Sequence, residues 1–279
     1  MTTTDAHHEI RSLFGDDEGS ANERLHYEWL KQFYFPSSEF LIYPNLALQV
    51  LVDPGQPEVQ TELGERSGPI NLPNTPWHPE NFLMTSCVDL CVIQKSDYVP
   101  LLVIEIDGES HSKPLQRMRD ALKNSLLELV GLPLVRLRIQ IGQTEQDKQT
   151  QLSTALSQFK RQADRLIKRD IFLSAEIAQY FELLSRIFNQ DDVLILPNVA
   201  LISIFPEDHV KRFTLHAERN LCRTGLIDFA VVGKEDFRPI VAFSMAKDDL
   251  RQRLFAAFRL PLLQLHPAFM NAKPTNQSQ

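Results

Sequence analysis

Val88 to Gly108 reads VDLCVIQKSDYVPLLVIEIDG, two apolar runs of strand length around the polar KSDYV, the pattern of a β-hairpin with a medium-length loop. Its acids are in unexpected places. Asp89 lies inside VDLCVI, and Glu105 and Asp107 lie inside LLVIEIDG, where a half-buried strand normally carries no charge and buried carboxylates need partners. Side chains alternate along a strand, so Glu105 and Asp107 share one face while Ile104 and Ile106 point the other way. A turn centred on residue 97 puts Asp89 and Glu105 each eight residues from the centre. They then oppose each other and emerge on the same face. Three carboxylates are expected to converge there, and like charges that close need compensation. The usual compensation is a hard divalent cation with oxygen ligands, Mg2+ or Mn2+.

Working outward, residues 114–130 carry Leu115, Met118, Leu122, Leu126 and Leu129 on one helical stripe, ended by Gly131 and Pro133. On another face stand Gln116, Asp120 and Lys123, spaced i, i+4, i+7. Such a face also suits plain solvent exposure. Beside three acids, however, Lys123 is placed to stabilise charge on a phosphate, and His111, just before the helix, to orient or deprotonate a water or simply to hold the turn. Gly108 permits a sharp exit from the strand. LVRLRIQ then closes the unit as a buried strand.

The chain repeats this unit. FLIYPNLALQVLVDP from Phe40 is answered by VLILPNVALISIFPE from Val193, without a gap, at an offset of 153. The hairpin is answered by IDFAVVGKEDFRPIVAFSMAK from Ile227 at an offset of 139, and GLPLVRL from Gly131 by RLPLLQL from Arg259. Blocks recurring in the same order imply tandem units. In the second, Asp228 stands for Asp89, but Ser244 and Ala246 stand for Glu105 and Asp107, so the metal site is lost there. Its helix is shorter and reads as lacking the Gln, Asp and Lys set.

The expected organisation is a disordered stretch 1–21, a unit 22–142 with the acidic site, a connecting helix 143–170, a degenerate unit 171–268 and a disordered tail 269–279. Each unit begins with an amphipathic helix, as in that capped by Ser174 with Ile177, Phe181, Leu184 and Phe188 on one face. Strands, a hairpin, a helix and a strand follow. The fold class is therefore α/β, a mixed β-sheet flanked by helices in each unit. Residues 53–81, rich in Pro, Gly, Glu and Asn, read as a long loop.

A net charge of −7 argues against indiscriminate polyanion binding, so any nucleic-acid surface must be local. One basic cluster is Lys113, Arg117, Arg119, Lys123, Arg136 and Arg138. Another spans 160–169, which reads first as a solvated helix face, as charge runs usually do. Cys87 and Cys91 have neither a second pair nor clustered histidines and read as buried free thiols. No apolar run approaches the roughly 18 residues of a membrane span, and a soluble, cytoplasmic protein without a membrane partner is expected.

At Asp89 and Glu105 the chain resembles the PD-(D/E)XK nuclease superfamily, with Asp107 where that pattern has a lysine. EIDGESH, the spaced Gln116, Asp120 and Lys123, and GLPLVRLR more closely resemble the family catalogued as domain of unknown function 2726, related to very-short-patch-repair-type endonucleases. The resemblance implies two restriction-endonuclease-like units and a Mg2+-dependent endonuclease acting on DNA or RNA, with DNA the expected partner. Asp89, Glu105 and Asp107 would be the metal ligands, His111 and Lys123 catalytic, and Gln116, Arg117, Arg136 and Arg138 would contact nucleic acid. The competing class is an inactive nucleic-acid-binding or protein-interaction module that keeps the fold.

Overall fold

The computed structural model describes residues 12–14, 18–65, 81–108, 114–140, 142–159, 170–188, 191–205, 210 and 215–267. Two compact units separate, Leu13–Ile171 and Phe172 onward, the latter taking in Ser12. Both are mixed α/β.

The first unit opens with helix α1 (Glu18–Trp29), followed by a π-helical turn, Leu30–Tyr34. Strand β1 (Phe40–Ala47) runs into a one-turn helix, Leu48–Leu51. Helix α2 (Pro57–Glu65) and a second one-turn helix, Phe82–Thr85, lead to the hairpin β2 (Cys87–Gln94) and β3 (Pro100–Asp107). Helix α3 (Pro114–Leu129), strand β4 (Leu134–Arg138) and helix α4 (Glu145–Phe159) complete it. β1 pairs antiparallel with β2 and β2 with β3, while β4 lies parallel to β3. That parallel step is why a whole helix, α3, must intervene between β3 and β4. Leu122, Leu126 and Leu127 of α3 are fully buried, each contributing about 1.5–3 kcal/mol.

The second unit has helix α5 (Ala175–Ile187), β5 (Val193–Ala200), a one-turn helix Leu201–Ile204, helix α6 (His216–Thr224), the hairpin β6 (Leu226–Gly233) and β7 (Pro239–Ser244), helix α7 (Asp249–Ala257) and β8 (Leu262–Gln264). Its pairing is again antiparallel, antiparallel, parallel. Ser174 caps α5 by accepting from Ile177 N–H at 3.2 Å.

The two units agree in backbone detail. Left-handed φ values occur at Asn45 (51°) and Asn198 (54°), at Tyr98 (57°) and Phe237 (56°), and at Gly131 (65°) and Arg259 (55°). Those pairs stand at the offsets of the three repeated blocks. Both hairpins slip register at the same place, between Val92 and Ile93 and between Val231 and Val232. In both turns an aspartate accepts from the amide two residues on, Asp97 from Val99 at 3.2 Å and Asp236 from Arg238 at 3.0 Å, the side-chain turn that tolerates an αL neighbour.

Three expectations change. The 53–81 stretch is not irregular throughout, because α2 forms: Pro57 suits the first helical position, and Val59 and Leu63, four apart, are buried. Nor is 1–21 disordered throughout. Leu13 and Phe14 are buried, with Phe14 edge-on to Tyr27 at 5.6 Å between centroids. Of the connecting helix 143–170, the described part is α4, which packs on β4 of the first unit and buries Leu152 and Leu156. Thr144 and Asp147 close a reciprocal cap at its start. Residues 160–169 and the tail 269–279 lie outside the described residues. Cys91 and Cys222 are buried free thiols, and Cys87 is half-buried. No helix among the described residues is long and apolar enough to cross a membrane.

Candidate active site

The register Leu90 opposite Ile104 carries Asp89 across from Glu105. Here the ladder gives way to side chains. Ile106 N–H donates to Asp89 Oδ2 at 2.6 Å, and Asp89 N–H lies 3.3 Å from Glu105 Oε1. On the other edge of β3, Ile139 N–H reaches Asp107 O at 2.9 Å. By alternation, the Ile106 amide and carbonyl point to the β2 side, toward Asp89. Asp89 is thus both an acid of the site and a tie between strands.

Glu105 is 1% exposed, Asp107 5% and Lys123 8%, so their charges must be satisfied inside the protein. Helix α3 and strand β4 do this. Lys123 Nζ donates to Glu105 Oε2 at 2.6 Å and to the Cys87 carbonyl at 2.9 Å. Arg136 is paired with Glu105 in the parallel ladder, yet its Nη1 donates to Asp107 Oδ1 at 2.6 Å and its Nε to Asn124 Oδ1 at 3.0 Å. Its Nη2 lies 3.5 Å from Asp120 Oδ1 and 3.9 Å from Glu105 Oε2. Gln116 Nε2 donates to Asp120 Oδ1 at 3.0 Å. The polar face of α3 therefore turns toward the sheet acids, not to solvent.

Electrostatics follow from this packing. Burial and the Glu105 charge push the Asp89 carboxyl up to about 7, against the opposing pull of Lys123 and the Ile106 amide. Burial works to discharge Lys123, but the charges of Glu105 and Asp89 and the bond to Glu105 outweigh it and hold the ammonium above its ordinary value. Asp89, Glu105, Asp107 and Asp120 together face Lys123 and Arg136.

The expected site residues thus divide. Asp89, Glu105, Asp107, Lys123, Gln116 and Arg136 come together in one network. Arg117 and Arg138 are exposed, and His111 lies outside the described residues. Among the described residues no group of three His, Cys, Asp or Glu side chains that could hold a metal is found. Asp107 is turned to Arg136 instead. Arg136, expected to meet phosphate, is engaged by protein groups, and Lys123 is buried rather than peripheral. Asn124 and the Cys87 carbonyl have no sequence signal as members.

In the second unit Asp228 Oδ2 accepts from Met245 N–H at 2.8 Å, as Asp89 does from Ile106, and lies 3.2 Å from Ser244 Oγ. Arg251 Nη1 donates to Ser244 Oγ at 3.4 Å, and Asp248 caps α7 through Leu250 N–H at 2.9 Å. This corrects the view that the shorter helix lacks counterparts. Counted back from GLP and RLP, Asp248 and Arg251 fall on Asp120 and Lys123, and the missing residues come from the start of the helix.

Residues 81–156 match the family described as protein of unknown function (DUF2726). The match runs from just before the one-turn helix Phe82–Thr85 into α4 and so contains every member of the cluster, while the second unit lies outside it. No curated protein and no solved structure matches the chain.

Proposed function

We propose that the first unit is a metal-dependent phosphodiesterase of the PD-(D/E)XK type, cutting DNA or RNA, and that the second is a tandem copy that has lost its metal site. The observation that carries the first part is the convergence of Asp89 and Glu105, with Glu105 Oε1 3.3 Å from the Asp89 amide and the Ile106 amide 2.6 Å from Asp89 Oδ2. A divalent cation between the two carboxylates would relieve their repulsion. Asp89, Glu105 and the Ile106 carbonyl offer the hard oxygen donors Mg2+ or Mn2+ prefers. Such a cation would acidify a bound water and stabilise charge on the scissile phosphate.

The chain's own groups then have distinct work. Glu105 keeps Oε1 on the Asp89 side because Oε2 is held by Lys123. Lys123 uses two of its three N–H donors on Glu105 and Cys87; the third is available to an attacking water or a phosphate oxygen. Among the described residues, Arg138 beside the cluster and Arg117 on α3 are exposed cations able to meet the nucleic-acid backbone. The tandem reading is supported by the shared registers and by the paired left-handed residues.

One observation favours an inactive module that keeps the fold. Asp228 holds the same strand tie without an acid partner, so an aspartate at this position has a structural use of its own. Labelled single- and double-stranded DNA and RNA incubated with Mg2+ or Mn2+ separate the two readings. Cleavage that disappears with chelator and in Glu105→Gln supports the nuclease. Binding without cleavage under every metal tried supports the module and removes the nuclease.

A further inference from the structure

We propose that Asp107 is a positioning residue acting through Arg136 on Glu105, and not a ligand of the cation. This rests on the metal-site reading and assigns a role within that site. The β3–β4 register sets Arg136 beside Glu105 and Arg138 beside Asp107, but the guanidinium reaches one position along the strand, with Nη1 2.6 Å from Asp107 Oδ1. Its Nε is held at the other end by Asn124 Oδ1, 3.0 Å away on α3. A planar fork fixed at both ends has its remaining nitrogen fixed as well. That nitrogen, Nη2, stands between Asp120 Oδ1 at 3.5 Å and Glu105 Oε2 at 3.9 Å.

The consequence is a division of Glu105. Oε2 faces two cations, Lys123 at 2.6 Å and Arg136 at 3.9 Å, while Oε1 faces Asp89. Asp107 keeps Arg136 from moving fully onto Glu105, where its charge would compete with a bound cation. With Asp107 neutralised, the guanidinium is held from the α3 side alone and turns toward Glu105.

The experiment is Mn2+ titration by calorimetry on the full chain, comparing wild type, Asp107→Asn, Arg136→Gln and the double substitution. If Asp107 acts through Arg136, Asp107→Asn weakens Mn2+ binding about tenfold, Arg136→Gln does not weaken it, and the double variant returns to within roughly threefold of wild type. A double variant as weak as Asp107→Asn makes Asp107 a ligand and overturns the proposal. Wild type that takes up no Mn2+ removes the metal site and this role together, so the two failures are distinct. Melting curves without metal check folding. If the polar pair fails to fold, Asp107→Leu with Arg136→Met, an apolar replacement of the same ion pair, carries the same comparison.

Discussion

Lys123 Nζ lies 2.6 Å from Glu105 Oε2, with the two side chains 10% and 2% exposed. A pair this buried is asymmetric in its energetics. Removing one partner leaves an uncompensated charge, whereas removing both need cost little. Lys123→Met should therefore destabilise the metal-free protein by about 3 kcal/mol, and Lys123→Met with Glu105→Gln should recover most of that loss. Urea denaturation of the three proteins measures it. A double variant as unstable as the single one would show that the Lys123 stem, not its charge, is what the fold needs.

The metal-free protein should lose stability as pH rises toward neutrality. Asp89 has a folded value of about 7 against an ordinary 3.8, so between those values the folded state holds a proton that the unfolded chain has released. Its contribution is complete below the lower value and lost as pH passes the upper one, with a slope of at most about 1.4 kcal/mol per pH unit. Chemical denaturation between pH 5 and 8 should show the decline in wild type and a flatter profile in Asp89→Asn. Equal slopes in both would assign the titration elsewhere. Bound Mn2+ competes with the same proton, so its affinity should rise through this range.

Asp89 and Asp228 should respond differently to the same substitution. Asp89→Asn retains an oxygen for the Ile106 amide and relieves repulsion with Glu105, so without metal it should be neutral or stabilising. Asp228 faces Ser244 where Asp89 faces Glu105, and accepts from Met245 and Ser244; Asp228→Asn should cost about 1 kcal/mol. Only Asp89→Asn should abolish the rise in melting temperature that Mn2+ produces in wild type. Loss of that rise in both would mean that the second unit contributes to the site.

Gly131 and Arg259 end equivalent helices at φ 65° and 55°, but only the glycine adopts that region without strain from a Cβ. Arg259→Gly should accordingly be neutral to stabilising by up to about 1 kcal/mol, and Gly131→Ala destabilising by about as much. Thermal melting of the two variants decides it. A large loss in Arg259→Gly would point to side-chain contacts that outweigh the backbone strain.

The hairpin, its turn and the face shared by Asp89 and Glu105 were all legible in residues 88–108, because strand alternation and turn chemistry act over a few residues. The paired left-handed residues were legible for the same reason: PN, KSDY against KEDF, and GLP against RLP mark backbone conformations that depend on local sterics. What compensates the acids was not. A metal was the natural expectation from three carboxylates alone, yet Lys123 and Arg136 reach Glu105 and Asp107 from α3 and β4, 18 and 29 residues away in sequence. No periodicity distinguishes such a lysine from one on a solvated helix face. Likewise counting back from GLP and RLP sets Arg251 at the place of Lys123, but that its guanidinium meets Ser244 depends on how α7 packs on its own sheet. Sequence alone determined where the acids point, since that follows from dihedral angles along one strand. Which cations meet them was decided only by packing the helix and the parallel strand, because a Coulomb interaction depends on distance in space and on burial, and neither is set until the core has formed.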